Sequence, residues 1–215
     1  LAAARVLQKR GIRFELIEVR HRIGGRAETN HDYFGVPVDF GCSELHNAKV
    51  NPWISYAREN GFAVKPLPDG NSVYDGRQAL DREQLRALEE EFEQRQQRLE
   101  RACTARRDIS GADALAASRS SQSSQWADAF NLWQGPVSAG IDLNDWSVLD
   151  WCASRAGEDW YAPAGFGALI AHFGRAIPVH LRTRARRISW SGRAVDVQTD
   201  RGSIASKAVI VTIPV

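Results

Sequence analysis

Residues 14–29 read FELIEVRHRIGGRAET, and the order of residue types in them decides what fold to expect. Phe14, Leu16, Ile17 and Val19 give an apolar, partly β-branched run that suits a buried strand, drawn here over IRFELIEV, 12–19. The run carries an acid, Glu18, near its end and passes at once into Arg20, Arg22, Gly24, Gly25 and Arg26. A core strand has no need of that ending, but a nucleotide site has. One carboxylate can accept both hydroxyls of a ribose, and its charge repels a 2′-phosphate. Glycines without a Cβ let the backbone approach a phosphate, and arginines add charge-assisted hydrogen bonds to a pyrophosphate. The purely structural alternative is a strand-end glutamate paired with a nearby arginine beside a Gly-Gly turn.

Upstream, LAAARVLQKRG reads as a helix with a small face (Ala2, Ala3, Ala4) for close approach to a sheet and Gly11 at the C′ position. In a dinucleotide-binding βαβ unit a glycine-rich turn opens the first helix, and an acid ends the second strand about 20 residues later. Here the helix begins at Leu1 and the acid is Glu18, so that turn would lie just before residue 1. The chain has no Met and stops at VIVTIPV, an apolar strand. The expectation is therefore an internal segment of a longer protein, lacking the GxGxxG turn.

Downstream, VPVDFG (36–41) is a short strand. NPWISYARENG has Asn51 as N-cap, Pro52 at N1 and Gly61 to close a helix. Asp75-Gly76 in VYDGRQAL signals a type I′ hairpin. A long charged helix is expected over 81–107, with Asp81 and Gln84 as a capping box and a narrow stripe of Leu85, Leu88, Phe92, Leu99 and Cys103. Residues 108–125 read as loop and short helix, with SSQSSQ as a surface link. Trp126, Phe130, Trp133, Trp146, Trp151 and Trp160 then crowd a helical region, as core or as the lining of a ligand cavity. From Pro163 the pattern becomes a glycine-led helix, GFGALIAHFG, and four strand-like runs, IPVHLRT, ARRISWSG, AVDVQTDRG and KAVIVTIPV. Strand character at both ends and helices between them predict one α/β domain built from the two ends with a helical domain inserted.

Composition narrows the function class. A net charge of +2 with 43% hydrophobic and 25% charged residues describes an ordinary globular chain and gives no reason to expect nucleic acid or an anionic membrane. No apolar run approaches the roughly 20 residues that span a bilayer, and no signal peptide is visible. The three cysteines, Cys42, Cys103 and Cys152, are odd in number and far apart. They read as reduced thiols of a cytoplasmic protein, and without a CxxC no metal is expected.

ELIEVRHRIGGRAET (15–29) resembles the second-strand and Gly-Gly-Arg segment of the flavin-containing amine oxidase family, which includes monoamine and polyamine oxidases. GVPVDFGCSELH, AGFGALIAHF and VHLRTRARRISWSG…AVIVTIPV resemble, in order, three further segments of that family. The resemblance implies a Rossmann-like FAD-binding domain, incomplete here, from 1–48 and 162–215, with a mainly helical substrate domain inserted over 49–161. It places Glu18 on the adenosine ribose of FAD, and Arg26 with the Gly24-Gly25 backbone by the pyrophosphate, Arg20 nearby. Gly41, Cys42, Ser43 and Glu44 would pass close to the flavin, and the Ala185 backbone would touch adenine. Glu44 departs from a family position that is commonly Trp or apolar, and it either tunes substrate binding or turns to solvent. Asn47 replaces a common glycine. His46 is either a polar group over the flavin or structural.

The implied reaction is oxidation of an amine C–N bond with a hydride equivalent passing to flavin, and reoxidation by dioxygen to give hydrogen peroxide. The partners are a small-molecule amine and O2, with no nucleic acid. The family's lysine and aromatic cage match nothing in 1–215, so no catalytic residue is assigned, and the 215 residues alone are expected to bind FAD poorly and be inactive. Two other readings stay open: an FAD enzyme of the same fold with another reaction, such as a carotenoid desaturase or protoporphyrinogen oxidase-like enzyme, or a non-catalytic nucleotide-binding module.

Overall fold

In the computed structural model residues 1–68, 72–116, 126–154 and 157–213 are described. They form two units, Leu1–Leu67 with Gly157–Val215, and Pro68–Ala156. The second is shorter than the insertion expected over 49–161. The expected Ser/Gln link over 120–125 lies outside the described residues.

The first unit begins with α1 (Ala2–Lys9), closed as expected by Gly11 at φ 65°. The extended segment after it does not become the strand expected over 12–19. It makes a single parallel bridge, Ile17 with His180. The Glu18 N–H donates to the His180 carbonyl (3.0 Å) and the His180 N–H to the Leu16 carbonyl (2.8 Å). An apolar run forms a ladder only where a neighbouring backbone runs alongside. Among the described residues that neighbour is 180–183, on one side, and Ile12 stays 49% exposed. Then come β1 (Thr29–Asn30) and β2 (Val38–Asp39), an antiparallel pair with Thr29 opposite Asp39. β3 (Glu44–Leu45), α2 (Pro52–Glu59) and β4 (Lys65–Pro66) complete this part. Asn51 caps α2 by accepting the Trp53 N–H at 3.0 Å. Trp53 packs edge-on to Phe166 and Phe173, and Tyr56 bonds His172 Nδ1 at 3.0 Å. Those contacts explain why α2, expected in the insertion, belongs to the first unit.

In the second unit β5 (Tyr74–Asp75) and β6 (Gln78–Ala79) make a hairpin whose register pairs Asp75 with Gln78. Its loop is Gly76-Arg77 rather than Asp75-Gly76, with Gly76 at φ 60° in the first loop position, as a II′ turn requires. α3 (Arg82–Thr104) follows with the expected capping box, the Asp81 carboxylate accepting the Glu83 and Gln84 N–H groups at 2.9 Å. α4 (Gly111–Ala116), α5 (Ala127–Leu132) and α6 (Val148–Ser154) pack against it, and a π-helical turn (Trp133–Val137) packs on α5. Leu99, Leu115, Phe130, Trp146 and Val148 are the centre of that core, with Phe92 and Trp151 at its edge. Trp146 is therefore core, while Trp133 is exposed. Cys103 and Cys152 form a disulfide between α3 and α6 across 49 residues, and Cys42 is free. This corrects the reading of three reduced thiols: spacing along the chain carries no information about two helices meeting side by side. It also removes the premise from which a cytoplasmic location was read.

The chain returns to the first unit in β7 (Trp160–Tyr161), which lies between β3 and β4. α7 (Phe166–Gly174) and the antiparallel meander β8 (Ala185–Ser189), β9 (Val195–Thr199) and β10 (Gly202–Ser206) end it. β10 was missed because Gly202 reads as a turn residue and GSIAS as polar. Thr199 Oγ1, donating to the Gly202 carbonyl (2.7 Å) and accepting the Arg201 N–H (3.0 Å), tightens a two-residue loop and frees Gly202 to pair. Two expected strands, over 177–183 and 207–215, are not ladders among the described residues. The first has only the bridge at His180, and in the second Ile210 and Ile213 are exposed. Among the described residues no helix is long and apolar enough to cross a membrane.

Candidate functional site

Glu18 stands half-buried at the end of the extended segment. Its Oε1 accepts the Arg20 N–H at 2.8 Å, a local turn that fixes the carboxylate, and Oε2 has no partner among the described residues. The backbone beside it is tied to the return segment, the Thr183 N–H donating to the Glu18 carbonyl (2.9 Å) and the Arg182 N–H to the Arg20 carbonyl (2.9 Å). Ala185, two residues past Thr183, opens β8 and is exposed.

The Gly-Gly-Arg loop is held from inside. Arg22 donates to the carbonyls of Ile23 (3.2 Å), Ala27 (3.3 Å) and Gly25 (3.1 Å) and pairs with the Glu28 carboxylate. Arg20 adds a second donor to the Gly25 carbonyl at 3.3 Å. Arg22 is thus structural, not one of the free phosphate donors allowed by the sequence. Arg26 differs: its exposed side chain has no partner among the described residues. Gly24 sits at φ 104°, and a Cβ there would meet the Ala27 carbonyl oxygen at 2.5 Å. The N–H groups of Gly24, Gly25 and Arg26 have no acceptor among the described residues.

The 38–42 segment runs beside this loop. The Cys42 N–H donates to the Arg26 carbonyl at 3.3 Å and the Phe40 N–H to the Glu28 carbonyl at 2.7 Å. Gly41 is required there, since a Cβ would overlap the Arg26 carbonyl oxygen. The structure so brings Glu18, Arg20, Gly24, Gly25, Arg26, Gly41 and Cys42 together through backbone and side-chain hydrogen bonds. Ser43 follows, exposed, and leads into β3.

Glu44 lies in β3 opposite Tyr161 and is exposed. Its Oε2 is 3.8 Å from His46 Nδ1, which is 3.0 Å from Asp159 Oδ2. Asp159 Oδ1 accepts the Asn47 N–H at 3.2 Å. The ligand-type atoms of Glu44, His46 and Asp159 lie within 4.8 Å of one another. Exposed acidic groups gather in this way commonly without an ion. A search for CxxC spacing could not have found this cluster, because Asp159 is remote in sequence. Asn47, standing where glycine is common, has φ 51°, a conformation that Asn tolerates better than other side chains.

Sequence reading also missed what fixes β2. The Asp39 carboxylate accepts the N–H groups of Phe166 (2.7 Å) and Gly167 (3.1 Å), and Thr29 Oγ1 accepts that of Ala168 (2.8 Å). The N-terminus of α7 is capped by two residues of the β1–β2 pair, since its own N-cap, Gly165, has no side chain. That cap anchors the strand from which Gly41 and Cys42 leave.

The model of the flavin containing amine oxidoreductase family matches residues 1–215. Polyamine oxidase 2 of Arabidopsis thaliana is 40% identical over 77 residues, 35% of this chain and 16% of that protein. Polyamine oxidase 4 of Oryza sativa subsp. japonica is 26% identical over 256 residues, 100% of this chain and 49% of the relative. A solved structure of putrescine oxidase bound to putrescine superposes with a TM-score of 0.70 at 19% identity, covering 99% of this chain and 55% of that one. At that identity the likeness speaks for the fold alone, a mixed helix-and-sheet FAD-binding fold. The chain spans about half the length of these last two relatives.

Proposed function

The chain belongs to the flavin-containing amine oxidoreductase family, and from that premise we propose that the protein oxidises a C–N bond of a small-molecule amine with FAD as cofactor. The observation that carries this is the Glu18 carboxylate set beside a loop whose Gly24, Gly25 and Arg26 N–H groups have no acceptor among the described residues. The residues fit the adenosine diphosphate half of FAD. Glu18 Oε2 is an open acceptor for ribose hydroxyls, held in place by the bond of Oε1 to the Arg20 N–H. The loop N–H groups and the unpaired Arg26 guanidinium are donors for a pyrophosphate, and the glycines leave room for it. Gly41, Cys42 and Ser43 continue from that loop as the flavin-side backbone, and Ala185 is the adenine-side residue.

When bound, FAD supplies the two-electron acceptor for the amine, with dioxygen as terminal oxidant and hydrogen peroxide as product. This chain's part is binding and orientation. The helical unit 68–156 has the role of a substrate domain.

The test is the visible absorption spectrum of the intact protein, before and after anaerobic addition of a panel of amines. Flavin bands that an amine bleaches support the reading. Flavin bands that no amine bleaches favour another reaction on the same fold. A protein purified without flavin, and unable to take up added FAD, overturns it.

A further inference from the structure

Arg22 carries an inference beyond cofactor identity, and it rests on the reading that this loop receives the FAD pyrophosphate. Its side chain is 19% exposed, and both terminal nitrogens are spent on the loop itself: the carbonyls of Ile23, Gly25 and Ala27, and the Glu28 carboxylate. The remaining carbonyls of the loop are also occupied, that of Gly24 by the Ala27 N–H (2.9 Å) and that of Arg26 by the Cys42 N–H (3.3 Å). So each carbonyl from Ile23 to Ala27 accepts a bond. The N–H groups of Gly24, Gly25 and Arg26 have no acceptor among the described residues. In a planar trans peptide the C=O and N–H point in opposite directions. Drawing the Ile23 and Gly25 carbonyls toward one guanidinium therefore turns the Gly24 and Arg26 N–H groups away from it, while the Gly25 N–H is set by the bond of the Gly24 carbonyl to the Ala27 N–H. Successive positive φ values at Gly24 (104°) and Gly25 (58°) allow that arrangement.

We propose that Arg22 is a positioning residue for the anion-binding loop: it never touches the phosphates, and it holds the Gly24 and Arg26 N–H groups where a pyrophosphate is bound. The chemistry asks for arginine, because one planar fork must serve several carbonyls and a carboxylate at once. Lysine keeps the charge and loses the fork. Arg26, free of partners, supplies the direct charge.

The experiment measures FAD binding to the intact protein, stripped of flavin, for wild type, Arg22→Lys, Arg22→Met and Arg26→Met, at several salt concentrations. Hydrogen exchange of the 20–28 backbone is followed in parallel. The expected result is that Arg22→Lys and Arg22→Met both weaken FAD by about tenfold or more and to a similar extent, a loss typical of hydrogen bonds to a charged group. Exchange rises locally at the Ala27 N–H, which bonds the Gly24 carbonyl, while the rest of the protein keeps its protection. The salt dependence is unchanged by Arg22→Lys and falls with Arg26→Met. Retention of near wild-type affinity by Arg22→Lys, with loss in Arg22→Met, means a direct charge contact and overturns the proposal. So does affinity within twofold of wild type in both. If Arg22→Met does not fold, Arg22→Lys alone decides between these outcomes. A folded wild type that binds no FAD overturns the cofactor reading itself, a failure distinct from normal wild-type binding with indifferent Arg22 variants.

Discussion

The carboxylate of Asp39 accepts the backbone N–H of Phe166 at 2.7 Å, so a residue of β2 caps a helix that begins 127 positions later. The same carboxylate takes the Gly167 N–H and the Thr29 hydroxyl, the latter at 2.5 Å. Helix N-termini leave donors that need acceptors, and a charged acceptor there also meets the positive end of the helix dipole. Asp39→Ala is expected to cost about 2–3 kcal/mol, and Asp39→Asn about 1, because one acceptor oxygen remains. Urea titrations followed by tryptophan fluorescence read both, and equal losses in the two variants would mean that the cap is not what Asp39 provides.

Gly167 poses a contest between two effects of opposite sign. Alanine is favoured over glycine in a helix by up to about 1 kcal/mol. A Cβ on Gly167 would, however, overlap the backbone nitrogen of Thr29 and lie 2.6 Å from the Glu28 carbonyl carbon. Backbone cannot move aside as a side chain can, so overpacking wins, at about 1–3 kcal/mol of net destabilisation. Gly167→Ala is expected to lower the denaturation midpoint. A raised midpoint would show that α7 does not approach β1 this closely.

The Cys103–Cys152 bond closes a span of 49 residues. Chain entropy assigns about 4 kcal/mol to a loop of that size. Under native, non-reducing conditions iodoacetamide is expected to label Cys42 alone, and peptide mass spectrometry is expected to find 103 linked to 152. Cys152→Ser, or reduction of the wild type, is expected to lower the melting temperature. Three alkylated cysteines in the folded protein would remove the bond from the account.

The elements readable in advance were those whose cause is local. The Asp81–Gln84 box, the Asn51 cap and Gly11 are signals carried within a few residues, and each appears in the structure. The failures are non-local. Apolar content at 12–19 and 207–213 is real, but a strand needs a partner backbone, and periodicity says nothing of which one. Cys103 meets Cys152, and Asp39 meets α7, only because helices and strands far apart in sequence pack together. The site shows the same division. Glu18 and the glycines stood out by residue type, whereas the inward turn of Arg22 depends on four acceptor groups arranged in space. Arginines 20, 22 and 26 look alike in a list of residues and differ only in what they touch.

Glu18 separates the functional from the structural reading most sharply. Its Oε1 is already used by the Arg20 N–H, while Oε2 is without a partner among the described residues. If the residue serves only the local turn, Glu18→Gln keeps that bond through the amide oxygen and changes nothing else. If Oε2 accepts ribose hydroxyls, the same change puts an N–H₂ donor against hydroxyl donors. The expected outcome is FAD affinity weaker by about 10- to 100-fold, from the loss of one or two bonds to a charged acceptor. Stability is expected to stay within about 0.5 kcal/mol, as for a substitution away from the core. Glu18→Asp keeps the charge and shortens the reach, so it falls between the two. Fluorescence titration of flavin-stripped protein gives the affinities, and unchanged FAD binding in Glu18→Gln would return Glu18 to the role of a turn residue.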